Sequence, residues 1–266
     1  MADAYVDRFA GVARDYAAFR PTYPPALFDW LATIVPARSL AWDCATGSGQ
    51  AAIDLAERFE SVIATDASRH QLAHAASHPR VEYRHAPADA SGIPASSVDL
   101  VTVAQALHWF DVGRFYAECE RVLVPGGVLA VWSYGPLRVA GGSVDRVVQE
   151  YYHDILGPYW PAERALVDSS YASVVLPYPQ LVAPVFHMEA WWTLAELLGH
   201  LGTWSSTAAY REATEQDPLE LIDRRLARAW RDPEGERQVI WPLTVLVCRK
   251  GERRAAQENR SPRRSA

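Results

Sequence analysis

The sequence predicts an α/β protein: a doubly wound, mostly parallel sheet carrying an inserted helical, tryptophan-rich lobe. Between Leu40 and Trp132, short apolar runs alternate with segments of helical periodicity. The first run breaks into a small, glycine-bearing turn, and an acidic residue, Asp66, closes the second. From Ser143 to Trp230 the alternation gives way to aromatic-rich helical sequence, before one last apolar run from Gln238 to Cys248.

Taken in order, Tyr5, Phe9, Val12, Tyr16 and Phe19 recur at helical spacing and predict an amphipathic helix over 5–19. The Arg20-Pro21-Thr22-Tyr23-Pro24-Pro25 stretch ends it, and a second helix over 26–34 buries Leu27, Trp30, Leu31 and Ile34. Strands are expected at 40–44, 61–65, 81–85, 98–103 and 128–132, each apolar enough to be covered on both faces. Helices at 50–59, 68–76 and 113–123 join them, and Pro125-Gly126-Gly127 reads as a turn into the fifth strand. One strand, 185–190, is expected inside the lobe, and 238–248 reads as a closing strand, antiparallel at or near a sheet edge. The divisions that follow are a helical cap (1–35), a ligand-binding core (36–134), a substrate lobe (135–236), the closing strand (237–249) and a basic tail (250–266).

With 266 residues, 49% of them hydrophobic, the chain can bury one substantial core. No apolar run approaches the ~18 residues of a membrane span, and the first residues carry neither a basic region nor a hydrophobic signal core, so a cytoplasmic protein is expected. Cys44, Cys119 and Cys248 show no paired spacing and suggest neither a disulfide framework nor a zinc site. The net charge is −6, yet residues 249–266 hold seven Arg/Lys against Glu252 and Glu258, which leaves −11 on the remainder. An acidic body argues against a nucleic-acid groove, and the tail has no interleaved aromatics for base stacking.

The turn Asp43-Cys44-Ala45-Thr46-Gly47-Ser48-Gly49-Gln50 is the main chemical signal. Glycines there let a ligand approach the main chain, and Asp66 lies where an acidic side chain takes the hydroxyls of a ribose. Gly47-x-Gly49-x-x-Ala52 also satisfies a dinucleotide fingerprint, so the turn alone leaves the nucleoside open. His70, His74 and His78 recur every four residues, but Pro79 follows at once and no ligand set completes them, so a solvated helix face is the better reading and no metal is expected.

Together with Ala88-Asp89, the segment from Ala104 to Phe110 and Pro125-Gly126-Gly127, this turn resembles the class I S-adenosylmethionine-dependent methyltransferases, whose Rossmann-like sheet has seven strands. Tyr16-x-x-x-Arg20-Pro21-x-Tyr23-Pro24, Thr203-Trp204-Ser205 and Trp241-Pro242-Leu243 are similar to the small-molecule branch that includes trans-aconitate methyltransferase. The resemblance implies that Asp43, Ala45, Gly47, Gly49 and Gln50 line the methionine and ribose part of S-adenosylmethionine. It implies that Asp66 and Ala67 hold the ribose, that Ala88 and Asp89 meet the adenine edge, and that Gln105, Ala106 and Trp109 floor the site beside the methyl group. Ala45 stands where the family usually has its first loop glycine, a substitution tolerated if the residue keeps φ negative.

Methyl transfer from a sulfonium needs in-line approach and exclusion of water. A carboxylate acceptor is already ionised, whereas a phenol, alcohol or amine needs a base, for which His108 is the first candidate. Tyr16 and Arg20, four apart on one helix face, are candidates to clamp a carboxylate of cofactor or substrate. Trp109, Trp160 and Trp204 are candidate walls of an acceptor pocket beside His108. The expected activity is O-methylation of a small carboxylate or hydroxyl compound, with no nucleic-acid or membrane partner. A nicotinamide oxidoreductase lacks its Tyr-x-x-x-Lys pair here, since Lys250 is the sole lysine. A nucleic-acid methyltransferase lacks its Asn/Asp-Pro-Pro-Tyr tetrapeptide, and a homologue that binds cofactor without transferring is the remaining alternative.

Overall fold

Side chains along β1 (Leu40–Cys44), β2 (Ser61–Asp66) and β4 (Val98–Ala104) are buried almost without interruption, as strands covered on both faces require. The structure, a computed structural model, describes residues 21–252. The helix expected at 5–19, with Tyr16 and Arg20, and the tail from residue 253 lie outside the described residues. With β3 (Val81–His85), β5 (Leu123–Tyr134) and β9 (Arg237–Arg249), these strands form a sheet in the order β3-β2-β1-β4-β5-β9. The first five are parallel and β9 is antiparallel to β5. This is a doubly wound, Rossmann-like arrangement. Because chain order reverses on either side of β1, the loops after β1 and β4 diverge at their carboxyl ends and leave a crevice there.

Period-two alternation decides which side chains reach which layer. Along β5, Val128, Ala130 and Trp132 enter one core, with Leu27, Phe28 and Leu31 of α1 (Pro25–Ile34) and Ala52 and Leu55 of α2 (Gln50–Ala56). Leu129 and Val131 enter the other, with Phe115 and Cys119 of α4 (Val112–Val122) and all three free cysteines. The lobe joins the first core through α5 (Gly142–Glu150), α7 (Leu194–Gly202), α8 (Ser205–Thr214) and α9 (Asp223–Trp230), with Trp230 and Trp241 fully buried. No helix among the described residues is long and apolar enough to cross a membrane.

The structure departs from the expectations at identifiable places. Pro125-Gly126-Gly127 is not a turn before the fifth strand but an irregularity within β5. The main-chain bonds Lys250 N–H to Gly127 O (2.9 Å) and Gly126 N–H to Lys250 O (3.1 Å) carry the ladder across it. The helix expected over 68–76 is only α3 (Arg69–Ala73), capped by the Ser68 hydroxyl, which accepts from the Gln71 amide. His70 and His74 stack at 4.7 Å, but His78 lies beyond the helix and meets Glu57 at 3.2 Å, so the three imidazoles share no face. In place of one lobe strand at 185–190 there are three: β6 (Arg138–Val139), β7 (Gln180–Leu181) and β8 (His187–Trp192), each pairing β9. β8 begins two residues later than the strand expected there, and Val185, where that strand was to start, is exposed.

The loop carrying Ala88 and Asp89 is fixed from below by Glu118 of α4, which accepts from the Ser91 amide (2.8 Å) and hydroxyl (2.5 Å) and from Arg121 (2.7 Å). The Arg121 hydrogen bonds, opposed by burial and assisted by Ser91, hold the Glu118 carboxyl at about 2. A depressed carboxylate contributes stability above its unfolded pKa of about 4.3 and loses it as pH falls toward about 2. Glu118→Gln is therefore expected to lower stability at pH 7 by about 1–3 kcal/mol and to flatten the stability curve between about pH 4.5 and 2, as measured by denaturant unfolding against pH.

Candidate functional site

The loop after β1 is held from beneath by a buried acid. Asp43, 1% exposed, accepts from the hydroxyls of Thr46 (2.6 Å) and Thr102 on β4 (2.7 Å). Burial, opposed by those two bonds, raises its carboxyl to about 6. Asp43 thus braces the turn and links β1 to β4 under the crevice.

Above it, Ala45 takes φ +55, so the condition under which an alanine there is free of strain, a negative φ, is not met. The chain leaving β1 is constrained on both sides, because the next amide, Thr46 N–H, donates to Thr65 O on β2 (2.9 Å) while its hydroxyl is tied to Asp43. A left-handed turn is the geometry that satisfies both, and alanine tolerates it at a cost of about 1–2 kcal/mol.

The two loop glycines serve different ends. At Gly47, φ +58, an added Cβ would meet nothing nearer than Gln71 Oε1 at 3.9 Å, so space is open over the main chain. At Gly49, φ +84, it would lie 2.1 Å from the Tyr83 hydroxyl, which donates to Ala76 O (2.8 Å). Gly49 is thus required by its own neighbour, whereas Gly47 leaves room for a ligand.

Asp66 joins the loops after β1 and β2 by accepting the amides of Gly47 (2.8 Å) and Ser68 (2.7 Å), one on each oxygen. A carboxylate oxygen can accept more than one hydrogen bond, so the two amides do not by themselves exclude a ligand's vicinal hydroxyls. Ala67 follows, with its carbonyl 3.0 Å from His85 Nε2. Ala88 packs against the second core, and Asp89 pairs with Arg114 at 2.5 Å. Gln50 donates from Nε2 to Pro21 O (2.9 Å) and Gln105 to Tyr134 O (3.1 Å), but the Oε1 of each is buried without a partner among the described residues. Gln105, at φ +56, is a second strained residue at the carboxyl end of a strand. The open Gly47 main chain, the acidic Asp66 and two orphaned amide oxygens fit a ligand rich in hydroxyl and ammonium donors, as an S-adenosylmethionine would be.

Ala106 and the 3-10 turn at Leu107–Trp109 follow β4, placing His108 and Trp109 beside that crevice, Trp109 38% exposed. His108 stacks on Trp109 at 4.7 Å, and its Nδ1 lies 3.0 Å from the hydroxyl of Tyr171, a residue of the lobe. Burial, then the Arg164 guanidinium, drive the His108 imidazole down to about 4. Trp160 and Trp204 are not among this set. Their rings lie 5.6 Å apart in a lobe cluster with Tyr151 and Tyr152, and their indole N–H groups serve Tyr152 O (3.1 Å) and His200 Nε2 (3.2 Å). Trp160 does line a cleft of about 240 Å³ with Tyr152 and Arg164. A cleft of about 430 Å³ among Ser96, Glu120 and Lys250 opens at the amino ends of β4 and β5, the opposite end of the sheet from this constellation.

Sequence reasoning missed Thr46, Thr102, Tyr83, Tyr171 and Arg164. Tyr171 follows Ser170 in two successive left-handed residues with no glycine, so nothing in its neighbourhood marks it.

The profile of the methyltransferase domain family matches residues 42–131, the span from β1 to β5. A Dictyostelium discoideum methyltransferase homologue is 33% identical over 250 residues, spanning 92% of this chain and 95% of its own. This chain belongs to the class I S-adenosylmethionine-dependent methyltransferases. The solved structure of a type II methyltransferase from Anaeromyxobacter dehalogenans is 47% identical, with a TM-score of 0.82 over 86% of this chain and 97% of that one. A Mycobacterium tuberculosis methyltransferase is 37% identical over 127 residues, about half of each chain. For a methyltransferase the cofactor is S-adenosylmethionine, which supplies an electrophilic methyl group on a sulfonium. The family's usual glycine also explains Ala45: Ala45→Gly is expected to relieve the strained turn and raise stability by about 0.5–1 kcal/mol, measured as the shift in thermal midpoint.

Proposed function

We propose that this methyltransferase carries its methyl group to oxygen, on a small carboxylate or hydroxyl compound, by in-line displacement across the crevice between the loops after β1 and β4. The observation that carries the reading is the division of the crevice. Asp66 and the open Gly47 main chain stand on one side, and an uncharged His108, with Arg164 close enough to bias it, stands on the other. The first set suits a nucleoside, while the second offers an imidazole and a guanidinium to an acceptor. Asp43 and Ala45 shape the loop, Gln50 and Gln105 offer acceptor oxygens, and Ala67, Ala88, Asp89, Ala106 and Trp109 border the nucleoside and methyl positions. In this reading Tyr16 and Arg20 clamp a carboxylate from residues 1–35, and the lobe, 135–236, supplies an acceptor wall through Trp160, which lines the cleft with Arg164, with Trp204 packed on Trp160 rather than in the cleft lining.

The net charge of −6 favours a small-molecule acceptor over nucleic acid, and the composition fits the cytoplasm. Calorimetric titration with S-adenosylhomocysteine is expected to show binding, with no heat from NAD or NADP. Asp66→Ala is expected to weaken that binding about tenfold to a hundredfold, the loss of charged hydrogen bonds, with the thermal midpoint reporting that the fold persists. A panel of carboxylates, phenols, amines and RNA with labelled cofactor then identifies the acceptor. Transfer to RNA or to amines alone would overturn the O-methylation reading.

A further inference from the structure

The lobe cleft of about 240 Å³ is lined by Arg164, at the start of α6 (Arg164–Asp168), together with Tyr152, Trp160 and Asp168. The Arg164 side chain is largely buried and is oriented from one edge. Its Nε donates to the Tyr152 hydroxyl (2.8 Å) and lies 3.4 Å from Asp168 Oδ1. That hydroxyl donates in turn to the same Asp168 oxygen (2.6 Å), and the direction of both bonds is set by chemistry, since a guanidinium only donates and a carboxylate only accepts. The Trp160 and Tyr152 rings flank the cation, their centroids 5.0 and 5.7 Å from its central carbon. Trp160 is itself pinned by its indole N–H on Tyr152 O (3.1 Å).

This arrangement commits the Nε edge and leaves the other. Among the described residues every hydrogen bond and ion pair of the Arg164 side chain runs from Nε, and neither terminal nitrogen is a buried atom without a partner, so both are open to solvent. Their N–H donors form the planar fork that matches a carboxylate. Placement adds a second observation. α6 packs against the 3-10 turn Leu107–Trp109 after β4, and Tyr171, just past α6, reaches His108 Nδ1 (3.0 Å). The cleft is therefore built on the helix that borders the crevice. It is smaller than the roughly 300–1,000 Å³ that encloses a drug-sized ligand, and so suits one end of a small molecule.

We propose that this cleft is the anchoring subsite for the methyl acceptor, where the terminal nitrogens of Arg164 pair with a carboxylate of the acceptor and the rings of Trp160 and Tyr152 lie beside its carbon skeleton. This rests on the methyl-transfer reading above and narrows its acceptors to those that bear a carboxylate. Arg164 is then a specificity-determining residue. A neutral amide of the same shape sets its own N–H donors against those of the guanidinium and loses half of the pairing. Asp168 already offsets part of the cationic charge, so a simple carboxylate binds weakly and is tested at millimolar concentration.

Benzoate and benzamide, titrated into the full chain without cofactor, read the subsite through the indole N–H resonance of Trp160, assigned with Trp160→Phe. The expected result is a saturable shift with benzoate and none with benzamide. Arg164→Gln is expected to weaken benzoate about tenfold or more, the loss of charged hydrogen bonds, with Arg164→Lys between the two. Equal shifts from both probes, no shift from benzoate, or parent-like benzoate binding in Arg164→Gln overturns the proposal. The comparison of the two probes needs no variant, so it holds even where Arg164→Gln fails to fold. In turnover, acids are expected to be preferred over their amides, and Arg164→Gln to erase that preference through the acceptor KM more than through kcat. A fall in kcat alone, with the preference intact, would make Arg164 a structural residue and overturn its assignment. Titration with S-adenosylhomocysteine separates the failures: absence of binding removes the methyl-transfer reading, while the benzoate result judges the carboxylate site on the protein alone.

Discussion

Asp66 accepting the amides of Gly47 and Ser68 is the contact on which the site depends. It is a single carboxylate shared by the loops after two neighbouring strands, and it fixes the spacing between the segment that leaves the main chain open and the segment that starts α3. Asp43 has a matching role on the adjacent strand, tying β1 to β4 through Thr102. The two acids occupy successive strand ends but differ in kind. Asp43, 1% exposed, braces one turn from beneath, while Asp66, 7% exposed, clasps the amides of two loops at once. Sequence marks both positions alike as ligand contacts, because it registers an acid at a strand end but not which way the pleat turns it.

The sheet was legible because burial on both faces forces unbroken apolar runs, and β1, β2, β3 and β4 lie within about a residue of their expected bounds. What escaped were features set by long-range pairing. Pro125-Gly126-Gly127 has turn composition, yet the ladder with β9 draws it into β5. Trp191 and Trp192 lie in a stretch read as helical lobe, yet they complete β8 by pairing with Gln238 and Arg237 on the edge of β9 opposite β6. In the site, the glycine loop and Asp66 declared themselves by composition. Tyr171 and Arg164 did not, since their meeting with His108 is made by the fold of a lobe whose sequence carries no periodic signal there.

Of the seven non-glycine residues with positive φ among the described residues, four gather where the chemistry is expected, while Ser96, Glu215 and Arg231 lie elsewhere. Ala45, Gln105, Ser170 and Tyr171 all take left-handed conformations without being glycine, and they flank the carboxyl ends of β1 and β4 or the hydroxyl that touches His108. Each is held by neighbouring main-chain bonds. The core beneath supplies the stability that lets such turns persist.

The single strand β9 pairs with β5 along one edge and with β7 and β8 along the other. Until residues 237–249 emerge during synthesis, β5 and β8 each present an unpaired edge, and a nascent chain halted before that point would be prone to sticking to its neighbours. The same strand unites elements distant in sequence, so closure of the sheet is a high-contact-order step that sets a slow final stage in folding. A ribosome-bound chain therefore cannot complete its sheet, nor anchor its lobe to it, before residues 237–249 have cleared the exit tunnel.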